Sequence, residues 1–383
     1  MDFSLTQEQE LLKESVREWC ARNITETMIQ RWYSEHDMPD EIAKSWIDAG
    51  FGYMGIPEEH GGTSCDAVTL GIIAEELAHS TAAHIPFSLN ALLMYDLCHF
   101  GNAEQIKMCM DAFKETGYPN FSLAISEPNA GSDNMSMTTY TKEIDGKIHI
   151  NGHKTWVTNG EQCPLIFLVA KDQSPDPKNS SMSLWLLSKD TPGVTVKPLP
   201  RFCEGIEAFA EMTFEDVVID KSCLLGEYGK GFTGLVKNFE MERCIVMAQN
   251  LGQAQACMDD AAAYVNQRIA FGKPISNFQL IQEKLTDMEI KLRNSRNLIY
   301  QTLWEIDNNR PVQISAALMK RYAGPATTQV CDEAIQIFGG LGFTKQTCVG
   351  RCMLDCRGMM IGGGTVEVMV HIAGRALAKK YAK

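Results

Sequence analysis

The first hundred residues alternate apolar and polar positions with the period of an amphipathic helix. Thr6 followed by Gln9 is the pattern of a capping box, which marks the start of a helix. Apolar residues then recur at intervals of three or four over 11–19, and similar patterns return before residue 100. Residues 1–118 are therefore predicted to form an N-terminal helical domain.

From about residue 119 the pattern changes to short strands. Asp145-Gly146 lies between two alternating runs and is a strong hairpin signal. Asn151-Gly152 is a second turn signal a few residues later. Further runs of strand length follow at 164–170, 182–187 and 209–219. Several short strands at this spacing predict a small β-barrel or sandwich over 119–228.

Long helical patterns return after residue 229 and continue to the end of the chain. The runs 232–270, 278–308 and 311–338 contain few residues that interrupt helices. The order helix, strand, helix is three blocks and not an alternating series of strand and helix. The sequence therefore predicts the α+β class, mainly α, with a C-terminal helical domain over 229–383.

Charge and the N-terminal residues narrow the functional classes. The formal net charge of −13 argues against a nucleic-acid partner and against docking on an anionic membrane. No apolar run approaches the length of about 20 residues that a membrane span needs. The first residues carry neither the basic nor the apolar region of a signal peptide, so we expect a cytoplasmic protein.

The 13 cysteines include no C-x-x-C pair, and in a reducing compartment they are expected to be free thiols. Cys348, Cys352 and Cys356 recur every four residues, which places them on one face of a helix. A metal site is the functional alternative, but no histidine is close and cluster motifs use shorter gaps. We interpret the three as a buried cysteine face and predict no metal site.

Gly229, Gly231 and Gly234 match the dinucleotide-binding pattern G-x-G-x-x-G. That motif works between a strand and a helix within a βαβ unit, and a long helical block follows here instead. We therefore interpret these glycines as a turn that leads into a helix.

An acidic residue lies on the apolar face of that helix. Glu242 follows Phe239 by three residues and precedes Val246 by four, so the three side chains share one stripe. Burial would raise the pKa of Glu242 and make its carboxylate a better proton acceptor near neutral pH. A surface Glu paired with Arg243 or Lys237 is the structural alternative.

Two further segments offer polar groups to a ligand. Gly362, Gly363 and Gly364 form a run whose backbone amides can approach an oxyanion or a phosphate closely. The loop 126–133 follows an apolar strand and carries hydroxyl and amide groups. Each segment could also be an ordinary turn.

Five motifs in order give the chain a strong resemblance to the acyl-CoA dehydrogenase family of flavoproteins. They are Ile125-Ser126-Glu127-Pro128-x-Ala130-Gly131-Ser132-Asp133, Asn151-Gly152-x-Lys154-x-Trp156-Val157-Thr158-Asn159-Gly160, Arg268-x-x-Phe271-Gly272-Lys273-Pro274-Ile275, Gln336-Ile337-Phe338-Gly339-Gly340-x-Gly342-Phe343 and Gly364-Thr365-x-Glu367-Val368. The family fold has an N-terminal helical domain, a central β-domain and a C-terminal four-helix bundle, which agrees with the order of the three blocks.

The resemblance implies FAD as cofactor and assigns residues to it. Those expected to bind FAD are Ile125, Ser126, Gly131, Ser132, Trp156, Thr158, Arg268, Phe271, Gln336, Gly340, Thr365 and Glu367. Arg268 and Phe271 would act from a neighbouring subunit, since family members are mostly homotetramers. Electrons would pass to electron-transferring flavoprotein.

The family reaction is α,β-dehydrogenation of an acyl-CoA thioester. Residues expected to contact the substrate are Ser132, Glu240, Arg243 and Gly362. A carboxylate removes the α-proton, and a backbone amide stabilises the enolate oxygen. That amide would belong to Gly363.

The chain departs from the usual family pattern at the base. Most members carry Tyr-Glu where this chain has Gly362 and Gly363, and that Glu is the base. A minority, which resemble isovaleryl-CoA and long-chain enzymes, place the base on the helix before an Arg. Glu242-Arg243 occupies that place, so Glu242 is predicted to be the catalytic base. A short or branched acyl group is expected in the space that the two glycines leave.

Two alternatives stay open. The Gly-rich loop, the Asn266-Gln267-Arg268 run and the neighbourhood of Glu242 also resemble carnitine-pathway enoyl-CoA reductases, which run the reaction in reverse. A protein of this fold could also have lost turnover and act as a binding protein. An acid at position 242 and the acidic net charge count against that second alternative.

Overall fold

The structure of the protein, a computed structural model, describes residues 4–173, 181–202 and 205–382. The contacts within it group the described residues into two units. One unit comprises Met1–Trp32, Cys65–Leu89 and Phe239–Lys383, and the other comprises Tyr33–Ser64 and Asn90–Asn238. The division into 1–118, 119–228 and 229–383 follows the type of element and not these contacts, so it stays a prediction.

Helices form both ends of the chain, as the apolar periodicity predicts. In the described residues the α-helices are α1 (Gln7–Asn23), α2 (Glu26–Glu35), α3 (Asp40–Asp48), α4 (Ala67–Thr81), α5 (Phe87–Phe100), α6 (Ala103–Thr116), α7 (Gly231–Gln267), α8 (Gln279–Asp307), α9 (Gln313–Phe338), α10 (Val349–Met359) and α11 (Val366–Tyr381). The described part of the chain contains no helix that is both long and apolar enough to cross a bilayer.

Local signals fix where several helices begin. The Gln9 backbone donates to Thr6 Oγ1 at 3.2 Å, and the Thr6 backbone donates to Gln9 Oε1 at 3.0 Å. This is the predicted capping box at the start of α1. Gly231 is the first residue of α7, where a Cβ would lie 2.4 Å from Leu184 Cγ. The glycine motif therefore leads into a helix, as predicted, and close packing explains Gly231.

The middle of the chain forms strands. They are β1 (Phe121–Ala124), β2 (Tyr140–Ile144), β3 (Lys147–Thr158), β4 (Leu165–Asp172), β5 (Met182–Ser188), β6 (Val194–Leu199), β7 (Phe209–Ile219), β8 (Leu224–Leu225), β9 (Ile269–Ala270) and β10 (Lys273–Pro274). Among the described residues, β1 to β8 form one sheet in the order β6-β7-β3-β2-β4-β5-β8, with β1 parallel to β4. The ribbon of β9 and β10 is separate and follows α7.

The first turn signal in this sheet is confirmed and the second is wrong. Asp145-Gly146 joins β2 to β3 in an antiparallel hairpin. Asn151-Gly152 instead lies inside β3, opposite an irregularity in the pairing with β7. Asn151 Oδ1 accepts from the Asp216 backbone at 2.9 Å, and Asp216 has a positive φ of 47°. Two residues of β7 thus lie opposite the single residue Asn151 of β3, which is a β-bulge on β7. The hydrogen bond that the Asn151 side chain accepts stabilises this bulge.

Apolar side chains from alternate positions fill one face of the sheet. The buried cluster contains Ile166, Leu168 and Ala170 of β4, with Trp185 of β5 and Phe214 of β7. The period of two along β4 is what a strand presents to one face. Ile148, Ile150 and Val157 of β3 also belong to this core, and β3 carries several predicted site residues.

Candidate functional site

A buried ion pair supports the loop that follows β1. Lys154 Nζ on β3 donates to Glu127 Oε1 at 3.0 Å and to the backbone oxygen of Ile125 at 2.7 Å. The Glu127 carboxylate also accepts from the backbone amides of Thr138 and Thr139, at 2.6 and 2.9 Å. Both charged side chains are almost fully buried. One carboxylate and one ammonium therefore tie together both ends of the loop and the neighbouring strand.

The electrostatics of the pair keep Glu127 ionised. Burial raises the pKa of Glu127, but the charge of Lys154 and the hydrogen bonds from Thr138 and Thr139 outweigh it and lower the pKa to about 2. A buried carboxylate with this many donors is well compensated. The pair therefore holds the loop at neutral pH.

The predicted flavin-facing residues lie around this support. Ile125 and Ser126 are half-buried, and the Ser126 backbone oxygen accepts from the Thr155 amide at 2.9 Å. Gly131 and Ser132 are exposed just after the turn in which Glu127 pairs with Ala130, and a Cβ on Gly131 would find open space. Polar backbone and hydroxyl groups are thus available to a ligand at this edge of the sheet.

Trp156 is held outward by an irregular strand. Its φ of 55° lies in the left-handed region, and the pairing of β3 with β7 shifts between Lys154 and Val157. The extra residue of this bulge turns Trp156 so that 51% of it is exposed. A left-handed φ at a bulky residue costs free energy and is common at functional sites. Thr158, two residues on, is half-buried in the same strand.

Glu242 meets the glycine run in the helical unit. A Cβ built on Gly363 would lie 3.4 Å from Glu242 Oε1 and 3.3 Å from Lys320 Nζ. The carboxylate of α7 and the ammonium of α9 therefore border the same point on the loop between α10 and α11. Gly363 has a φ of 63°, which favours glycine. A larger residue here would crowd both charged groups.

Two cations bind the carbonyls of this loop. Lys320 Nζ donates to the oxygen of Gly362, and Arg243 Nε donates to the oxygen of Gly363 at 3.0 Å. Lys320 is fully buried and Arg243 is nearly so. The backbone of Gly362 and Gly363 is therefore fixed from two helices.

The surroundings of Glu242 raise its pKa, which makes the carboxylate a stronger proton acceptor. Burial raises the pKa of Glu242, and the charges of Lys320 and Arg243 oppose that rise. Burial also lowers the pKa of Lys320 to about 8, while Glu242 opposes that change. The result is a carboxylate that is more basic than in water, next to a cation.

Other predicted residues of this unit lie on the ends of helices. Thr365 is the N-cap of α11, and its Oγ1 accepts from the Val368 amide at 3.2 Å. Glu367 is exposed in the first turn of α11, with one carboxylate oxygen 3.7 Å from Arg321 Nη1. Gln336, near the end of α9, and Gly340, just after it, are exposed. Glu240 lies on α7, half-buried, two residues before Glu242.

Arg268 and Phe271 lie at the ribbon of β9 and β10. Phe271 is at the tip, with a φ of 52° and 95% of its surface exposed. Its ring meets the edge of Phe278 at a centroid distance of 6.0 Å. The Ile275 amide donates to the backbone oxygen of Arg268 at 2.9 Å, which closes the ribbon. Phe271 is thus the exposed tip of the ribbon, and its contact with a neighbouring subunit stays a prediction.

The structure thus assembles the predicted residues into two sets, one on the sheet and one on the helices. Glu242, Arg243, Gly362 and Gly363 come together, whereas Ile125, Ser126, Trp156 and Thr158 belong to the sheet unit. Sequence reasoning missed Lys320 and the pairing of Lys154 with Glu127. Lys320 follows buried Ala316, Ala317 and Met319 on α9. A charged residue in such an apolar run was a usable signal.

The residues on the sheet suit a flavin. Exposed Trp156 offers a flat apolar surface for a ring system, and exposed Ser132 and Gly131 offer polar groups without a bulky side chain. These features fit a large ligand with an aromatic part and a polar part.

Comparison with protein families identifies three consecutive domains. Residues 6–113 match the acyl-CoA dehydrogenase N-terminal domain, residues 122–217 the middle domain, and residues 229–378 the C-terminal domain. Together these matches cover nearly the whole chain.

Individual relatives agree with this result. The probable acyl-CoA dehydrogenase YdiO of Escherichia coli K12 is 39% identical over 381 residues, which is 100% of this chain and 99% of YdiO. An acyl-CoA dehydrogenase from Slackia heliotrinireducens superposes with a TM-score of 0.89 at 32% identity, covering 100% of this chain and 99% of that one. Butyryl-CoA dehydrogenase from Megasphaera elsdenii superposes with a TM-score of 0.87 at 28% identity, covering 99% of this chain and 100% of that one. The chain therefore belongs to the acyl-CoA dehydrogenase family and is an FAD-dependent oxidoreductase.

Proposed function

We propose that the protein removes hydrogen from the α and β carbons of a short or branched acyl-CoA, with Glu242 as the base. The observation that carries this proposal is the contact of Glu242 Oε1 with the position of a Gly363 Cβ. The carboxylate of α7 thus reaches the place where most family members hold their base. Electron-transferring flavoprotein is the proposed electron acceptor, on the family resemblance.

The loop amide is oriented for the second role in the reaction. The oxygen of Gly362 and the N–H of Gly363 belong to one planar trans peptide, so they point in opposite directions. Because Lys320 binds that oxygen, the N–H of Gly363 is directed away from Lys320. A donor held in this way can stabilise the charge that develops on the thioester oxygen. The hydrogen bond from Lys320 also polarises the peptide and strengthens the N–H as a donor.

The carboxylate of Glu242 completes the arrangement. It removes the α-proton, and its raised pKa makes it a stronger acceptor than an exposed glutamate. FAD, when bound, supplies the acceptor for the hydride that leaves the β-carbon. Arg243 binds the oxygen of Gly363 through Nε and so positions the loop, while its contact with CoA stays a prediction.

The shape around the glycines leads us to expect a graded preference for short and branched acyl groups. Lys320 and Glu242 occupy the space next to Gly363, but a Cβ on Gly362 would meet nothing closer than Met359 Sδ at 3.9 Å. A side chain could therefore begin at position 362 without a close contact, and glycine leaves that place free. One methylene in a fitted pocket is worth about 1–3 kcal/mol, so kcat/KM should change by steps of about tenfold or more.

The test is a screen of CoA thioesters of different length and branching. Bleaching of the yellow flavin by an acyl-CoA, followed by turnover with an electron acceptor, supports the enzyme. No bleaching with any thioester would favour a binding protein, and fast flavin reoxidation by an enoyl-CoA alone would favour the reductase. A sharp optimum at long unbranched chains would show that other residues fill the open space.

We expect a homotetramer in which Phe271 contacts FAD of a neighbouring subunit. Changing Phe271 to Ala should weaken FAD retention at least about fivefold, because buried aromatic anchors contribute more than about 1 kcal/mol. Arg293→Ala is the control, since Arg293 is an exposed residue of α8 paired with Glu289. Light scattering combined with flavin absorbance provides the measurement. A monomer that retains its flavin would contradict this prediction.

A further inference from the structure

Three buried thiols meet between α7 and α10. Cys257 lies on α7, Cys348 is the N-cap of α10, and Cys352 lies in the first turn of α10. Their Sγ atoms are all within 4.8 Å of one another, and all three residues are buried. We call these three residues the thiol cluster. The i, i+4 spacing seen in the sequence accounts for two of its members, and the third comes from another helix.

Cys356 does not belong to the thiol cluster. Its Sγ lies 3.9 Å from Cys331 Sγ, deeper between α9 and α10. The expected face of Cys348, Cys352 and Cys356 is buried, as predicted, but its residues meet different neighbours. Cys331 lies between the two sets, because its thiol interacts with both Cys257 and Cys356. The thiol cluster is the subset whose three Sγ atoms all lie within 4.8 Å of one another.

A carboxylate lies next to the thiol cluster. Asp260 Oδ2 accepts from Cys348 Sγ at 3.3 Å. Asp260 follows Cys257 by three residues, so both side chains lie on the same face of α7. Asp260 is exposed, whereas the three sulfurs are buried. The three sulfurs therefore form the close group, and the Asp260 carboxylate reaches it through Cys348. To share an ion with all three sulfurs, that carboxylate has to move closer to the thiol cluster.

We propose that Cys257, Cys348, Cys352 and Asp260 bind one Zn²⁺ ion. Three thiolates and one carboxylate are a tetrahedral donor set that zinc accepts, with Zn–S distances of about 2.3 Å. Sulfurs around such an ion are about 3.8 Å apart, so the thiol cluster needs only a small contraction through side-chain rotation. Copper(I) prefers sulfur alone, and the carboxylate therefore favours zinc.

The surroundings can hold such a site. Arg351 lies between Cys348 and Cys352 in the sequence. Its guanidinium donates to the backbone oxygen of Ala82 at 3.1 Å and to the Glu26 carboxylate at 2.8 and 3.0 Å. Cys352 Sγ donates to the same backbone oxygen of Ala82 at 3.2 Å. The guanidinium thus stands next to a donor set that becomes anionic when it binds metal. Binding replaces the thiol protons by the ion and releases up to three protons, so affinity rises with pH.

The test measures zinc in the FAD-loaded, untagged protein. Metal analysis after purification without chelator should give one zinc per chain. Cys348→Ser and Cys352→Ser should each lower the bound zinc at least about tenfold in a titration with a zinc indicator. Cobalt(II) in place of zinc should give a thiolate charge-transfer absorption that both variants lose.

Controls separate loss of a ligand from loss of the fold. Cys163→Ala removes a buried cysteine of the sheet unit and should keep one zinc. Flavin absorbance checks the fold of each variant independently of zinc. One zinc retained in Cys348→Ser, or no zinc taken up by the unaltered protein in the titration, would overturn the proposal. Tight binding of copper(I) alone would also overturn it. None of these measurements depends on turnover, so the proposed activity is tested separately.

Discussion

Replacing Glu242 with glutamine is expected to lower turnover by about 10²–10⁴-fold, which is the usual contribution of a general base. Glutamine keeps the shape of the side chain next to Gly363 but cannot accept the α-proton. FAD binding should persist, because the predicted flavin-facing residues of the sheet are unchanged. Stopped-flow reduction of the flavin by acyl-CoA measures the affected step directly.

The control for this variant is Glu289→Gln. Glu289 is a partly exposed residue of α8 that pairs with Arg293, so its change should lower stability by no more than about 1 kcal/mol. Because Glu289 has no predicted role at the site, the rate of flavin reduction should stay close to that of the unaltered protein. Full activity of Glu242→Gln would show that another group removes the proton.

The pH dependence of the same step gives a second readout. Burial raises the folded pKa of Glu242 above the ordinary value of 4.5. The base acts only when it is ionised, so flavin reduction should fall as the pH is lowered through that raised pKa. The loss should therefore begin at a higher pH than for an exposed glutamate.

Replacing Lys154 with methionine is expected to destabilise the fold by about 3–5 kcal/mol, because it leaves the buried carboxylate of Glu127 without its charge partner. The loop that carries Ser126 and Ser132 would lose the hydrogen bond between Lys154 and Ile125 as well. Urea denaturation followed by circular dichroism measures the free energy of unfolding. At the same protein concentration, Lys154→Met should also retain less FAD than the unaltered protein.

Lys147→Met is a matched control on the same strand. Lys147 pairs with Asp220, but both side chains are largely exposed, so its loss should cost no more than about 1 kcal/mol. If Lys154→Met does not fold, the double variant Lys154→Met with Glu127→Gln should recover part of the stability, since it removes the unpaired charge. Equal stability of Lys154→Met and Lys147→Met would contradict the importance of the buried pair.

Acid provides an independent check on Glu127. Its folded pKa is lowered to about 2 from an ordinary value of 4.5. A carboxyl group with a lowered folded pKa stabilises the protein fully above its unfolded pKa. That contribution should be lost as the pH falls from about 4.5 towards 2, and the loss should be absent in the double variant.

Features that depend on neighbouring residues in the chain were predictable. The capping box at Thr6, the hairpin at Asp145-Gly146 and the long helices are set by local backbone preferences and apolar period. The placement of Glu242 on an interior stripe followed from the same period. The approach of a ligand group to the glycines at 362 and 363 stays a prediction.

Features that depend on contacts between distant segments were not predictable. Asn151-Gly152 has the composition of a turn, but pairing with β7 keeps it in a strand and makes a bulge instead. The ammonium of Lys154 finds Glu127 across 27 residues, and Lys320 reaches Gly362 across 42. No periodicity encodes such pairs, because they arise only when the sheet and the helices have formed.

Helix α7 carries residues of both proposed sites, the base Glu242 and the zinc ligand Cys257. Glu242 and Cys257 both lie on α7, fifteen residues apart, or about 22 Å along the helix axis. At that separation the Coulomb interaction between two unit charges is below about 1 kcal/mol at an effective dielectric constant of about 20. A metal at Cys257 would therefore act mainly by holding α10 against the C-terminal half of α7. Loss of the ion should loosen that end, and amide hydrogen exchange should rise there while it stays unchanged around Glu242.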